Sequence, residues 1–236
     1  HNPSREKLSE LVSKKEQTHY IESVETSVFQ KALIEPIRTI IDRGGKSWRS
    51  YAALACCDIV GGNSQEAIQW LSLPELMHVG SLIVDDVQDQ SDIRRGKPTC
   101  HKIYGEPIAI NAGSAAYFIG QISVYNADIP DAKKLKIYHM YFETLRAAHS
   151  GQALDLYGLD YMMDDVVENG KGDLLVERSI AIHRLKSAAP ASYLAKIGAV
   201  LGNGTEEQIE GLGVYYDALG IAFQIIDDTL NIKGFQ

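Results

Sequence analysis

The chain has 236 residues, of which 45% are hydrophobic and 23% are charged. This length is sufficient for one sizeable core, and we expect a single domain over residues 1–236. The formal net charge of −8 disfavours nucleic acid as a partner, since it implies no extended basic face. We expect no membrane span, because no apolar run of spanning length is evident. The three cysteines have neither a disulfide pattern nor metal-ligand spacing, which favours a reducing, cytoplasmic compartment.

Hydrophobic residues recur with a helical period in almost every ordered segment, and almost none of the segments alternates as a strand. Glycines, prolines and polar clusters separate these segments. The predicted helices, in chain order, cover residues 36–43, 48–60, about 74–90, 108–124, 131–158, 174–202 and 206–230. A further helix is predicted to start after the turn at residues 61–64. Residues 91–98 are predicted to be a loop. The predicted fold class is therefore all-α.

Two aspartate-rich segments follow apolar helical stretches. The first contains Asp85, Asp86 and Asp89, and the second contains Asp227 and Asp228. Residues four apart on a helix project from one face, so Asp85 and Asp89 are spaced to share a divalent cation. Carboxylates near a helix C-terminus are electrostatically disfavoured unless cations neutralise them. We expect both clusters to emerge from buried helices into one cavity.

A basic segment directly follows the first acidic cluster. Arg94, Arg95 and Lys97 place three fixed positive charges just beyond the acids. Carboxylates alone would repel a diphosphate, but carboxylate-held Mg²⁺ surrounded by arginine and lysine binds one well, because hard oxygen ligands suit Mg²⁺ and guanidinium matches phosphate oxygens. The pattern therefore predicts a diphosphate site that depends on Mg²⁺.

The motifs resemble those of the trans-isoprenyl diphosphate synthases, the polyprenyl synthetase family. Residues 78–99 are similar to the family's first aspartate-rich motif and residues 223–228 to its second. Three further segments fall in the family's order, at residues 44–49, 149–155 and 186–187, so the resemblance covers about residues 30–236. Ser47, Ser187 and Asn231 depart from the usual pattern, although eukaryotic geranylgeranyl diphosphate synthases often have Asn at the last position.

The resemblance implies an all-helical bundle of the isoprenoid synthase type around a central cavity. It also implies several more helices after the last residue of this chain, including lysines that close over the substrate. The expected substrates are isopentenyl diphosphate and an allylic diphosphate, and a homo-oligomer is expected by resemblance alone.

The family's functional residues map onto positions of this sequence. The resemblance implies that Asp85, Asp89 and Asp227 hold Mg²⁺, with three ions when substrate is bound, and that Asp86 and Asp228 support them. Arg94 and Lys186 would assist at the allylic diphosphate. Isopentenyl diphosphate would bind at the family's metal-free positions, which are Lys46, Arg49, His78 and Arg95. Ser187 and Gln152 would present oxygens to the carbocation, Asp155 and Gln224 would be supporting polar residues, and the diphosphate product would accept the proton.

Product length in this family depends on the depth of an apolar tunnel below the metal site. Ser81 lies one helical turn before Asp85, Gly80 is beside it, and Met77 is a further turn away. An aromatic residue near the first two positions closes the tunnel in farnesyl-length enzymes, whereas both side chains here are small. The sequence therefore predicts geranylgeranyl diphosphate as the main product, with Met77 as a flexible floor.

Two alternatives remain open. One is a class I terpene cyclase, or a prenyltransferase domain within a bifunctional terpene synthase. A pure cyclase does not need a second diphosphate pocket, so Lys46, Arg49, His78 and Arg95 argue against it but not against the bifunctional domain. The other is a non-catalytic subunit of a heteromeric synthase, which would typically lose an aspartate motif that this chain keeps.

Overall fold

The computed structural model describes residues 4–14, 16–45 and 47–233, without the side chain of Asn231. The helices are α1 (Arg5–Val12), α2 (Thr26–Phe29), α3 (Glu35–Ile41), α4 (Trp48–Ile59), α5 (Ser64–Ala67), α6 (Ser72–Gln88), α7 (Cys100–Tyr104), α8 (Glu106–Ile119), α9 (Ile122–Tyr125), α10 (Asp131–Tyr157), α11 (Met163–Asn169), α12 (Gly172–His183), α13 (Ala189–Leu201) and α14 (Glu206–Lys233). Short 3₁₀ segments lie at Thr18–Ile21, Ile68–Trp70 and Asp160–Met162. The all-α prediction is confirmed.

Two π-helical segments interrupt this pattern, at Gln30–Ile34 and Arg184–Ala188. Each lies just before a proline, Pro36 in one case and Pro190 in the other. A proline ring clashes with the carbonyl group four residues earlier and donates no hydrogen bond to it, and a wider turn relieves that conflict. The predicted helix over residues 174–202 is therefore observed as α12, a π-helical turn and α13.

The loop predicted over residues 91–98 is wrong in part, because it contains a small antiparallel hairpin. Its strands are β1 (Ile93–Arg94) and β2 (Lys97–Pro98), with Arg94 paired with Lys97. The connecting residues Arg95 and Gly96 have φ values of 53° and 73°. Positive φ at both central residues is typical of a two-residue type I′ turn, whose twist matches that of the paired strands.

The chain divides into two compact units. The first comprises His1–Ser50 and Gln69–Asp128, and the second comprises Tyr51–Ile68 and Ile129–Gln236. In the first unit, α6 contributes Val79, Ile83 and Val87 to the core, where the spacing of four puts them on one face. They pack with the remaining core residues Ile37, Ile40, Cys100, Ala109, Ala112 and Ala116 from α3, α7 and α8.

In the second unit, α13 packs against α14 and α10. Leu194, Ile197 and Val200 of α13 are buried there, as is Ile137 of α10. A π-helical turn carrying Lys186 also packs on α10 and α14. A Cβ atom on Gly151 would overlap the backbone nitrogen of Lys186, so glycine is needed for α10 to approach this turn.

By length and composition, one described helix could cross a membrane, over residues Glu206–Leu230 of α14. This corrects the expectation that no apolar stretch is long enough. One such helix is weak evidence for a membrane span, because core helices of water-soluble proteins pass the same test.

The crossing of α6 and α8 generates a stability prediction. A Cβ atom on Gly80 would lie 2.6 Å from the carbonyl oxygen of Gly113, a backbone atom that cannot rotate away. We expect Gly80→Ala to lower the free energy of unfolding by about 1–3 kcal/mol, despite the higher helix propensity of alanine. The neighbouring Ser81 is exposed, so Ser81→Ala should change the free energy of unfolding by less than about 0.5 kcal/mol. Urea denaturation measures both, and equal stability of the two variants would contradict the prediction.

Candidate active site

The first acidic cluster lies at the C-terminal end of α6. Asp86 is fully buried, the side chain of Asp85 is 23% exposed, and Asp89 caps the helix with its N–H donating to Asp85 O at 2.8 Å. Arg94 donates to Asp86 Oδ1 from Nε at 2.9 Å and from Nη2 at 2.6 Å, and its Nη2 is 3.9 Å from Asp85 Oδ2. Arg94 therefore binds the acidic cluster of its own chain.

The pKa of Arg94 reflects both its burial and its carboxylate neighbours. Burial lowers the pKa of Arg94, but the hydrogen bond and charge of Asp86, with smaller contributions from Asp85 and Asp89, outweigh it and raise the pKa overall. The second carboxylate oxygen of Asp86 is buried, and none of the described residues donates a hydrogen bond to it. One guanidinium therefore faces three carboxylates at the negative end of a helix, and net negative potential remains there.

This donor set fits Mg²⁺. Among the residues the structure describes, no three His, Cys, Asp or Glu side chains are grouped closely enough to hold a metal ion by themselves. Mg²⁺ commonly uses one or two protein carboxylates and completes its shell with water and substrate phosphate oxygens. Asp85 and Asp89 are the carboxylates that could bind it in this way, and a cation would offset the excess negative charge.

A cavity of about 380 Å³ lies in the same unit and is lined by residues from the loop after α3, the start of α4, α6 and the hairpin. It brings together Arg49, His78 and Arg95, three of the four predicted isopentenyl diphosphate residues. The fourth, Lys46, lies outside the described residues. Trp48 also lines the cavity, and its ring is 4.8 Å from the guanidinium carbon of Arg49, a cation–π distance.

His78 is neutral in this environment. Burial, followed by the positive charges of Arg49, Arg95 and Arg94, lowers the pKa of His78 from 6.5 to about 3. Its Nε2 is 3.4 Å from Nη1 of Arg49. A guanidinium only donates, so Nε2 is the acceptor and the ring proton is on Nδ1. His78 therefore orients Arg49 and adds no charge of its own to the cavity.

Arg95 crosses from the hairpin to the loop after α3. Its Nη1 donates to Ile40 O at 2.9 Å, near the C-terminus of α3. A Cβ atom on Gly45 would lie 2.8 Å from Nη2 of Arg95, so the guanidinium passes directly over this glycine. Burial lowers the pKa of Arg95, and the negative charge of Glu75 opposes that effect.

Glu75 was not identified from the sequence, although it lines the cavity and accepts a hydrogen bond from Ser50. It is three residues before His78 on α6, so the helical spacing alone places both on one face. The carboxylate partly balances the arginines of an otherwise cationic cavity.

The second acidic motif is part of a hydrogen-bonded network in the second unit. Gln224 donates to Asp228 Oδ1 at 2.8 Å and accepts from Ser187 at 2.6 Å. Nε2 of His183 is 3.3 Å from Asp228 Oδ2. Asp227, one residue earlier, is exposed. Three predicted residues, Ser187, Gln224 and Asp228, are thus assembled with His183. Sequence reasoning missed His183, although it is only three residues before Lys186.

Lys186 and Asp155 form a second pair in this unit. Lys186 Nζ donates to Asp155 Oδ2 at 2.6 Å, across the close approach at Gly151. Gln152 is half-buried on the same stretch of α10. The predicted assignment of Lys186 to an allylic diphosphate therefore requires it to exchange a carboxylate partner for a phosphate.

The predicted chain-length residues lie in different environments. Gly80 faces α8, where a Cβ atom would also be 3.2 Å from Cε1 of Tyr117. Ser81 is exposed and donates to His78 O at 2.8 Å, and Met77 is half-buried. Burial and the charge of Asp85 raise the pKa of Tyr117 to about 12. Tyr117, missed from the sequence, is therefore a protonated aromatic group close to both Gly80 and the acidic cluster.

Comparison with known proteins identifies the family. The chain has an all-helical fold with two acidic motifs and a cationic cavity, and the polyprenyl synthetase family model matches residues 30–236. The chain belongs to this family, which confirms the resemblance. It is 37% identical over 209 residues to geranylgeranyl pyrophosphate synthase 4 of Arabidopsis thaliana, covering 84% of this chain and 54% of that relative.

Solved structures agree with this assignment. The fold is similar to that of geranylgeranyl pyrophosphate synthetase from Pyrococcus horikoshii Ot3, with a TM-score of 0.76, 30% identity, and coverage of 96% of this chain and 62% of that one. A geranylgeranyl pyrophosphate synthetase from the archaeon Geoglobus acetivorans, 24% identical, shares the fold with a TM-score of 0.75. The chain spans about half the length of the curated relatives it matches.

The neutral state of His78 generates a prediction about pH. The folded-state pKa of about 3 is below the ordinary value of 6.5, so below pH 6.5 the unfolded chain binds a proton that the folded chain excludes. The contribution of His78 to the free energy of unfolding therefore has its full value above pH 6.5. It falls on acidification, by up to ~1.4 kcal/mol per pH unit. We expect His78→Gln to flatten the dependence of unfolding free energy on pH between 7 and 5. His139→Gln, at an exposed position, is the control. Parallel pH profiles for wild type and His78→Gln would refute this explanation.

Proposed function

We propose that this chain is the catalytic part of a Mg²⁺-dependent trans-prenyltransferase, which condenses isopentenyl diphosphate with an allylic diphosphate to give a linear all-trans prenyl diphosphate. The observation that carries the proposal is the cationic cavity containing Arg49, His78 and Arg95. His78 and Asp85 are seven residues apart on α6, so the cavity and the acidic cluster are separated by two helical turns, about 10 Å. One helix thus presents a metal-free anion site and an acidic metal site.

The reaction uses two diphosphate groups, one of which must leave while the other must stay attached. The allylic diphosphate must leave with its electron pair, and bound Mg²⁺ supplies the charge neutralisation that makes it a viable leaving group. The family resemblance assigns the metal to Asp85, Asp89 and Asp227, and assigns added positive charge to Arg94 and Lys186. Isopentenyl diphosphate must keep its diphosphate, and a cavity with arginines but no carboxylate cluster holds it without promoting ionisation.

The remaining steps assign roles to polar side chains. The double bond of isopentenyl diphosphate attacks the allylic carbocation, forming the new C–C bond, and a proton is then lost to the departed diphosphate. Ser187 and Gln152 would present oxygens to the cation, while Gln224 and Asp155 position their neighbours. The family resemblance also supports three Mg²⁺ ions with substrate bound and a homo-oligomeric assembly.

Geranylgeranyl diphosphate is the proposed product. The names of the curated relatives support it, since geranylgeranyl pyrophosphate synthases of Arabidopsis thaliana are 32–37% identical to this chain. The small residues at positions 80 and 81 also support it, because neither closes a tunnel below Asp85. The decisive experiment incubates the full-length protein with Mg²⁺, isopentenyl diphosphate and each allylic primer in turn, and sizes the dephosphorylated products. Cyclic hydrocarbons from an allylic diphosphate alone would favour a cyclase, and no turnover would favour a non-catalytic subunit.

The acidic motifs generate a prediction about catalysis. Asp85→Ala and Asp227→Ala should each lower kcat by at least ~100-fold, because a lost carboxylate weakens charge stabilisation that is largest in the transition state. Chelation of divalent cations should abolish turnover of the wild type. Asp165→Ala removes an aspartate that bonds to exposed Lys171 and Asn169, away from both acidic motifs in the sequence. It is the control and should leave kcat unchanged. Near-normal kcat for either motif variant at saturating Mg²⁺ would exclude the metal assignment.

Product length generates a separate prediction. We expect Ser81→Phe to shift the product towards C15 or shorter while activity is retained, because the ring would add bulk one turn before Asp85. Ser81→Ala is the matched control and should leave the distribution unchanged. Chromatography of the dephosphorylated alcohols measures both. If Ser81→Phe makes the wild-type product, the growing chain follows another face of α6.

A further inference from the structure

The hairpin that carries Arg94 and Arg95 is held in a strained conformation. Arg95 has a φ of 53°, in a turn whose two central positions favour glycine or asparagine. An L-residue with a left-handed backbone costs roughly 1–2 kcal/mol relative to its usual conformations. Strain of this kind persists only where surrounding contacts stabilise it, and it is frequent at functional sites. The contacts that hold this turn therefore matter for the site.

Arg43 makes such contacts from outside the hairpin. Its Nη1 donates to Arg94 O at 2.9 Å and to Lys97 O at 3.3 Å. Arg94 and Lys97 flank the turn and pair with each other across the two strands. One guanidinium therefore joins both strands at the base of the turn that positions Arg95. Arg43 is half-buried and immediately precedes Gly44 and Gly45 of the cavity wall.

Arg95 makes the reciprocal contact in the opposite direction. Its Nη1 donates to Ile40 O, within the last turn of α3, where backbone carbonyls lack helical partners and carry partial negative charge. Arg43 follows the same helix by two residues. Two guanidinium groups thus join the end of α3 to the hairpin, one from each side. We call this pair of contacts the arginine clasp.

We propose that Arg43 is a positioning residue for the diphosphate in the cavity, an inference that rests on the proposed function. Its hydrogen bonds to Arg94 O and Lys97 O hold the hairpin so that Arg95 faces the cavity. The directions of these bonds matter as well as the positive charge of the guanidinium. Arg94 has a separate anchor, its two hydrogen bonds to buried Asp86. Loss of Arg43 therefore affects the cavity and spares the acidic cluster.

The effect should be confined to binding at the cavity. If the hairpin samples other conformations, the apparent affinity falls by the fraction of molecules in which Arg95 is correctly placed. We expect Arg43→Lys and Arg43→Gln each to raise the KM for isopentenyl diphosphate about tenfold, with kcat and the KM for the allylic diphosphate within about threefold of wild type. Lysine keeps the positive charge but lacks the planar guanidinium group with its several donors. The lysine variant therefore distinguishes the effect of hydrogen-bond geometry from that of charge.

The test combines binding, kinetics and amide exchange on the full-length protein. Calorimetry without divalent metal measures the affinity for isopentenyl diphosphate and for inorganic pyrophosphate, and we expect about tenfold weaker binding of both by each Arg43 variant. Amide exchange of residues 93–98 should be faster in the variants. Arg38→Lys, which alters an exposed arginine paired with Asp42 on the same helix, is the matched control and should behave as wild type.

The outcomes separate this proposal from the proposed function. Wild-type affinity and KM in Arg43→Lys would overturn the clasp, as would equal increases in KM for both substrates. Weaker pyrophosphate binding and faster exchange in the Arg43 variants, in a protein without prenyltransferase turnover, would support the clasp and overturn the proposed function. No binding of either diphosphate by the wild type would overturn both.

Discussion

The acidic cluster at the end of α6 and the hairpin that follows it depend on the buried ion pair between Asp86 and Arg94. A fully buried carboxylate is costly unless it is paired and hydrogen-bonded, and removal of one partner of such a pair typically costs about 3–5 kcal/mol. Arg94 meets this need with two donors to one oxygen of Asp86. Because Arg94 belongs to the hairpin, the same interaction ties that hairpin to the end of α6. This pair therefore joins the acidic cluster to the hairpin, while Arg43 and Arg95 join the hairpin to the end of α3.

The cavity places several cations close together and so raises the energy of the protein without a bound anion. After burial, the charges of Arg94 and Arg43 lower the pKa of Arg95, and the charge of Arg49 lowers the pKa of His78 in the same cavity. The chain offsets this repulsion without cancelling it. His78 stays neutral, Trp48 stacks on Arg49, and Glu75 contributes one carboxylate. An anion that enters the cavity relieves the remaining repulsion, so the cavity is preorganised for an anion.

The sequence predicts the helices well because their hydrophobic period is strong. Three of the residues that it groups, Arg49, His78 and Arg95, line one cavity. The sequence does not predict the hairpin, since two-residue strands show no alternation and the turn is Arg-Gly where Asn-Gly is the usual signal. Glu75 and His183 could have been found by helical spacing, at three residues from His78 and Lys186. The partner of each aspartate could not have been found in this way. Arg94 pairs more closely with Asp86 than with Asp85 because of the rotation of α6 and the path of the hairpin, which are set by tertiary structure.

The two acidic motifs share one physical design. Adjacent residues on a helix point about 100° apart, so two consecutive aspartates cannot face the same way. In the first motif Asp86 turns inward to Arg94, and the more exposed Asp85 projects outward. In the second, Gln224 and His183 hold Asp228 while Asp227 is exposed. One aspartate of each pair is fixed by the protein, and its neighbour is directed outward, where a cation can reach it. This division explains why two consecutive aspartates are not redundant, because the helix directs one into the protein and the other away from it.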